Sequence, residues 1–247
     1  MKFTLTPFPL VLLALPAALV AGASFSQQGS PDPDEVTELV VRLTNEFRVQ
    51  EGRKEVVVNG QLLAAARYFA GYVAKTGQFS HEADGSTPGD RAKQHGYDQC
   101  IVSENIAYQY SSTGFATRQL AQGFVEGWKN SPGHRKNMLD PDVTETGAAV
   151  ARSKPGHYYA VQMFGRPASQ AVKFSIANRS NAALRYRIGN TAFSLAPRQT
   201  RTHQQCRSDE VTFDWPGKQP ATTVSPKDGD RLAIVRTESG GFSLNRE

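Results

Sequence analysis

The hydrophobic period of the chain changes once, and this change is the strongest limit on its fold. From Val36 to about Leu139, apolar residues recur at the three- and four-residue spacing of helices that bury one face. From Thr146 onward they alternate with polar residues, as in strands with one buried face. The pattern predicts the α+β class: helices and a sheet share one domain up to about Pro167, and a small all-β domain follows.

Capping residues and glycines predict where the helices begin and end. An Asp, Asn, Thr or Ser before a helix accepts a free backbone N–H group, proline is favoured at the first helical position, and glycine often follows the last turn. Helices are predicted over residues 33–50, 60–76, 88–95, from about 114 to 128, and 132–139.

Short apolar runs between turn residues predict the strands. Two strands, over 148–152 and 157–164, should complete the first domain. Five further runs predict a small β-sandwich or barrel over residues 170–247, at 172–177, 184–188, 200–204, 211–215 and 232–236.

Residues 1–23 are typical of a secretory signal peptide. Lys2 precedes an apolar run over 9–20, and small residues at 21–23 form a cleavage site. Residues 24–33 are then a linker, and the first domain covers 34–167. No other stretch is long and apolar enough to span a bilayer, so we expect a secreted protein, extracellular or periplasmic, with no transmembrane segment after signal cleavage.

Cys100 and Cys206 are the two cysteines of the chain. An oxidising compartment would allow them to form a disulfide, although the sequence leaves open whether the two Cα atoms approach closely enough. The net charge of +5 comes from scattered Lys and Arg residues without a long basic run. This distribution does not indicate nucleic acid, and it favours weak attraction to an anionic cell envelope.

Four short motifs occur in order within the first domain. They are Phe79-Ser80-His81, then residues 103–107 (Ser-Glu-Asn-Ile-Ala), then Trp128 with residues 131–139 (Ser-Pro-Gly-His-Arg-Lys-Asn-Met-Leu), then residues 144–147 (Thr-Glu-Thr-Gly). Together they resemble the CAP superfamily, which comprises cysteine-rich secretory proteins, antigen 5 and the pathogenesis-related proteins. The resemblance covers residues 34 to 167 and is closest to the bacterial members of the superfamily.

The resemblance implies an α-β-α sandwich in which two histidines and acidic residues meet at a surface cleft. By motif position, His81 and His134 are the two histidines and Glu104 is the first glutamate. Two imidazoles and a carboxylate are suitable ligands for Zn²⁺ or another divalent cation. A hydrogen-bonded network without metal, in which Glu104 orients a histidine, is the alternative.

The sequence departs from the eukaryotic pattern at one acid. That pattern has a second glutamate three residues after the tryptophan, where this chain has Ser131. Glu126 lies at a different angle around the helix and cannot simply substitute for it, and Glu145 is another acid to consider. Ser103 and Asn105 are expected to support the cleft through local hydrogen bonds.

The resulting hypothesis is a secreted CAP protein that binds a ligand in its cleft, with a lipid or sterol, an envelope component or an extracellular protein as the partner. Catalysis is less favoured because the chain has no His-Glu-x-x-His helix, nucleophile elbow or catalytic cysteine. A metal-dependent hydrolase acting on peptide or cell-wall material remains the alternative from another class. A structural or adhesive envelope module is the third hypothesis.

Overall fold

The computed structural model describes residues 30–247, so the predicted signal peptide and most of the linker lie outside the described residues. The helices are α1 Pro33–Gln50, α2 Gly60–Thr76, α3 Pro88–Gln94, α4 Thr117–Lys129 and α5 Pro132–Met138. The strands of the first domain are β1 Val57–Val58, β2 Gln99–Tyr110, β3 Glu145–Lys154 and β4 His157–Pro167. A short 3-10 turn, Ala168–Gln170, leads to the later strands.

The first domain is an α-β-α sandwich. Its sheet has the order β1-β3-β4-β2, so β2 forms one edge. Helices α1 and α4 bury their apolar faces on one side of this sheet, and α2 and α3 bury theirs on the other. Gly147 allows α2 to pack closely on β3, because an added Cβ atom would collide with the backbone of Leu62 and Leu63.

Three of the four polar residues at predicted helix starts, Asp32, Asn59 and Thr87, act as caps, whereas the side chain of Ser131 makes no capping hydrogen bond. Asp32 accepts a hydrogen bond from Asp34 N at 3.0 Å, and Asn59 accepts from Gln61 N and Leu62 N. Helix α4 begins at Thr117, three residues after the predicted start, because Gly114 adopts a positive φ of 83° that a helix does not allow.

Strand β2 is the main element that the sequence analysis did not predict. Its twelve residues contain the Ser-Glu-Asn-Ile-Ala motif, for which no strand was predicted. Polar residues at both faces hide the period of two, because Glu104 and Asn105 are both buried. The strand pairs with β4 along its whole length, with one irregularity between Gln99 and Ile101.

The second domain contains eight strands in two four-stranded sheets, and its apolar core lies between them. The strands are β5 Val172–Asn178, β6 Leu184–Ile188, β7 Thr191–Leu195, β8 Thr200–Gln205, β9 Val211–Asp214, β10 Thr222–Val224, β11 Arg231–Arg236 and β12 Phe242–Arg246. One sheet has the order β10-β9-β6-β7 and the other β12-β11-β5-β8. Three of these strands, β7, β10 and β12, were not predicted.

The segment after β8 joins the second domain to the first. Cys206 forms a disulfide with Cys100 at the start of β2, with the two Cα atoms 5.3 Å apart. Next to it, Ser208 donates from its backbone N and its hydroxyl to Asp142, at 2.9 and 2.7 Å. Arg207 forms an ion pair with Asp140 at 3.0 Å. Within residues 30–247, no helix is both long and apolar enough to cross a membrane.

Removing the disulfide should destabilise the protein strongly. The bond closes a loop with a sequence separation of 106 residues. In the chain-entropy model, such a loop stabilises the fold by about 4–5 kcal/mol. The Cys100→Ser/Cys206→Ser double variant should therefore unfold at a lower urea concentration than wild type, and reduced wild type should match it. Equal midpoints for the variant and the oxidised wild type would contradict this account.

Candidate functional site

The buried guanidinium of Arg91 is the centre of the polar network behind the cleft. Arg91 lies on α3, and its side chain is fully buried over the ring of Phe69. One Nη atom donates to Asp84 at 2.9 Å, and the other donates to Glu104 at 2.8 Å. It also donates to the carbonyl of His81 at 2.8 Å. The network therefore ties α3 to β2 and to the turn after α2.

Glu104 extends from β2 between Arg91 and His81. Its carboxylate is fully buried, and its second oxygen lies 2.8 Å from Nδ1 of His81. Because a carboxylate accepts hydrogen bonds, Nδ1 of His81 carries the proton, and Nε2 of the neutral ring keeps its lone pair. His81 is 46% exposed, so a buried acid orients a half-exposed imidazole.

The second histidine belongs to α5, which reaches the same edge of the sheet. The ring centroids of His81 and His134 are 6.5 Å apart. Burial, and then the charge that His81 can carry, lower the pKa of His134. The His134 ring is therefore more readily kept neutral, which is the form that accepts a hydrogen bond or binds a metal.

Side chains from α4 and α5 satisfy the outer edge of β2. Asn137 donates to the carbonyl of Glu104 at 3.1 Å, and the indole of Trp128 donates to the carbonyl of Ile106 at 3.1 Å. Asn105 is fully buried; it donates to the carbonyl of His134 at 3.2 Å and accepts from Asn137 at 2.9 Å. These bonds fix the position of α5, and with it His134, against the edge strand.

A groove of about 590 Å³ opens beside His134. Its lining includes Phe79, Tyr108, Trp128, Ser131 and Tyr159, together with small residues of α4 and β2. None of its lining residues carries a formal charge when His134 is neutral. Such a surface offers ring faces and a few polar groups, which is typical of a binding site.

Of the other predicted site residues, some lie at the groove and others lie away from it. Ser131 lines the groove at the start of α5, whereas the hydroxyl of Ser103 is buried without a hydrogen-bond partner among the described residues. Glu126 is exposed on α4, outside the groove lining, and pairs with Lys129 at 2.6 Å. Glu145 lies on β3 and accepts a hydrogen bond from the hydroxyl of Tyr97 at 2.6 Å. Neither acid therefore belongs to the cleft.

The three predicted metal ligands fit a cation only in part. Across residues 30–247, no three His, Cys, Asp or Glu side chains are arranged to hold one ion. Glu104 is committed to Arg91 and His81, and the adjacent guanidinium opposes a second cation at its oxygens. The two imidazoles do fit: Nε2 of His81 points away from the bond to Glu104 and is a ligand atom whenever that ring is neutral, and burial lowers the pKa of His134. Glu104 then takes the place of an outer carboxylate that orients a ligating histidine.

Two kinds of residue were not predicted. Arg91 and Asn137 act through the network, and only Arg91 has a sequence signal, as a cation in a short capped helix. The aromatic residues Tyr108 and Tyr159 lie opposite each other on β2 and β4. Their pairing could not be predicted because β2 itself was not predicted.

Comparisons with known proteins identify the family. The model of the cysteine-rich secretory protein family, CAP, matches residues 41–164. The chain belongs to this family. The position of the match agrees with the α-β-α sandwich described above.

Particular relatives are similar to about half of the chain. The uncharacterized protein YkwD of Bacillus subtilis is 30% identical over 128 residues, which are 51% of this chain and 46% of YkwD. The uncharacterized membrane protein YlbC of the same organism is 33% identical over 46% of this chain and 31% of its own length. The chain thus spans less than half of either relative. An outer surface protein from Borrelia burgdorferi aligns with a TM-score of 0.48 at 18% identity, covering 57% of this chain and 98% of that one.

Substitutions in the Arg91 network should lower the free energy of unfolding by amounts that depend on which buried charge is left unpaired. Arg91→Ala leaves the buried carboxylates of Asp84 and Glu104 without their cation, which should cost about 3–5 kcal/mol. Glu104→Gln should cost about 1–3 kcal/mol, since Asp84 still neutralises Arg91. Denaturant unfolding measures both changes. The control, Arg67→Ala, removes an exposed ion pair to Asp34 and should cost less than about 1 kcal/mol; an equal loss for Arg67→Ala and Arg91→Ala would contradict the importance of burial.

Proposed function

We propose that this CAP protein is exported and binds a ligand in the groove beside His134, without chemical turnover. The observation that carries the proposal is the uncharged, aromatic lining of an open groove next to two oriented imidazoles. A lipid or sterol, an envelope component and an extracellular protein are the partner classes that family membership suggests. The cleft is proposed as the recognition surface for whichever of them binds.

Hydrolysis is the weaker candidate because of how Glu104 is held. A general base must reach the attacking water or its proton through a free oxygen. Both oxygens of Glu104 are within 2.8 Å of other groups, and its side chain is fully buried. Glu126 and Glu145 lie elsewhere. The remaining groups at the cleft are suited to binding and orienting a ligand.

A divalent cation such as Zn²⁺ would be held by His81 and His134. When bound, it would supply a coordination position for an oxygen or nitrogen atom of the ligand. Glu104 would fix the His81 ring through Nδ1 while Arg91 fixes Glu104. With only two protein ligands, we expect an exchangeable ion and not a structural one.

Zinc titration tests this two-imidazole site. Calorimetry should show one zinc site in the wild type that is lost in His81→Ala and in His134→Ala. Glu104→Gln should weaken zinc binding by about 10–100-fold, as expected for an outer carboxylate. His95→Ala, which removes a histidine at the end of α3, is the control and should bind zinc normally. The double variant His81→Ala/His134→Ala should not bind zinc at this site, and wild-type zinc affinity in that variant would exclude the site.

Filling the groove tests the proposed function directly. Gly127 lines the groove on α4, and a Cβ atom added there meets nothing within 4 Å. A side chain at this position therefore starts in open space, so we expect the indole of Gly127→Trp to occupy the groove, and its unfolding midpoint is compared with that of the wild type to check that the fold is kept. Gly71→Trp on α2 is the matched control, since Gly71 also has open space and lies outside the groove lining.

Binding of the three proteins to purified cell-wall sacculi and to phosphatidylcholine–sterol vesicles should be measured by sedimentation. Wild type and Gly71→Trp should bind at least one of these preparations equally, and Gly127→Trp should lose at least tenfold in affinity for it. A groove-filled variant that binds both as well as wild type does would refute a cleft-based function. Turnover of peptide, peptidoglycan or ester substrates that disappears in His134→Ala would favour the hydrolase instead.

A further inference from the structure

Five rings form a continuous row that begins at the groove and runs along β2 and β4. The neighbouring centroids are separated by 6.3 Å for Phe79 and Tyr159, 4.9 Å for Tyr159 and Tyr108, 5.9 Å for Tyr108 and His157, and 4.3 Å for His157 and Tyr110. We call these five residues the aromatic row. Phe79, Tyr108 and Tyr159 also line the groove, so the row extends the candidate cleft beyond His134.

Strand register places the row on one face of the sheet. Tyr108 pairs directly with Tyr159, and Tyr110 pairs with His157. Nearer to α2, the same face is buried at Ile106 and Val161. Tyr108 is 42% exposed, Tyr110 54% and Phe79 48%. The row is therefore the part of this sheet face that remains open to solvent, although rings of this size are usually buried when they serve packing alone.

The row combines ring faces with uncharged polar groups. The hydroxyl of Tyr108 lies 2.7 Å from Nδ1 of His157, which holds both rings in place. Burial and the nearby Lys154 lower the pKa of His157, and so favour its neutral form at neutral pH. The groove lining contains no Asp, Glu, Lys or Arg. A charged ligand would find no partner among these groove and row residues, whereas a neutral one with many hydroxyl groups would find both ring faces and hydrogen-bonding groups.

We propose that the aromatic row binds the sugar rings of a neutral glycan strand, which continues from the groove along β2 and β4. This inference rests on the proposed function and names the ligand class of the same cleft. The slightly positive C–H groups on one face of a pyranose ring pack on the negative face of an aromatic ring. Tyr108 with Tyr159, and Tyr110 with His157, form two ring pairs that follow each other along the strands, which suits successive sugars of an extended strand. An acyl chain or a sterol ring system on this open surface would leave much of its own apolar area in contact with water.

Binding of defined oligosaccharides tests the inference. Hexamers of N-acetylglucosamine and of β-1,4-linked glucose are neutral probes, and titration calorimetry measures their affinity for the full chain. Tyr108→Ala and Tyr110→Ala should each weaken binding of the preferred hexamer by about three- to tenfold, the amount expected for one stacked ring. The control Tyr68→Ala removes a tyrosine of similar exposure, 46%, from α2 and should leave the affinity unchanged.

A second variant separates recognition from the stability of the sheet. Cross-strand aromatic pairs also stabilise a sheet, so Tyr110→Leu keeps an apolar contact with His157 but removes the ring face. It should unfold at the wild-type temperature and still lose hexamer affinity. Wild-type affinity in Tyr108→Ala and Tyr110→Ala, or no binding of either hexamer, would overturn the inference.

The outcomes also separate this inference from the proposed function. If the hexamers fail to bind while Gly127→Trp still abolishes binding to vesicles, the cleft binds a lipid and only the glycan inference is wrong. If Gly127→Trp leaves binding to both sacculi and vesicles unchanged, the cleft itself is not the recognition surface.

Discussion

The cleft depends on one buried cation. Arg91 has no exposed surface, and a buried charge is tolerated only when paired and hydrogen-bonded. Asp84 and Glu104 supply the opposite charge, and carbonyl groups of His81 and Ser86 accept further hydrogen bonds from the two Nη atoms, while Nε has no partner among the described residues. Because these partners come from the turn after α2 and from β2, satisfying the charge fixes three separate segments at once. The position of His81 is therefore a consequence of core electrostatics.

The position of His134, on the other side of the cleft, depends on a different requirement. The carbonyl groups at the outer edge of β2 need hydrogen-bond donors. An unpaired strand edge would attract other chains, and proteins protect such edges with side chains or covering elements. Here Trp128 and Asn137 cover the carbonyls of Ile106 and Glu104. The same contacts bring α5 to the edge and place His134 within 6.5 Å of His81. The pairing of the buried Arg91 and the capping of the β2 edge thus bring the two imidazoles together.

Most helices and the fold class could be predicted from the sequence because short-range patterns, such as helix caps and hydrophobic periodicity, determine them. Caps at Asp32 and Asn59 and the change of period after Leu139 predicted the helices, the class and most later strands. Strand β2 was missed because its buried polar residues, Glu104 and Asn105, disguise the alternation that normally indicates a strand. The role of Arg91 could not be predicted for a related reason: its partners are 7 and 13 residues away, and pairing at that distance depends on the tertiary fold.

Ser131 stands where the eukaryotic pattern has its second glutamate, and this difference changes the charge of the groove. A carboxylate there would border the groove, bringing a formal charge next to His134 and raising the tendency of that ring to be protonated. With serine, the groove lining stays uncharged, and burial is free to lower the pKa of His134. The aromatic row continues the same uncharged surface from Phe79 to Tyr110. Serine in place of a second glutamate thus gives the groove and the row one common uncharged character.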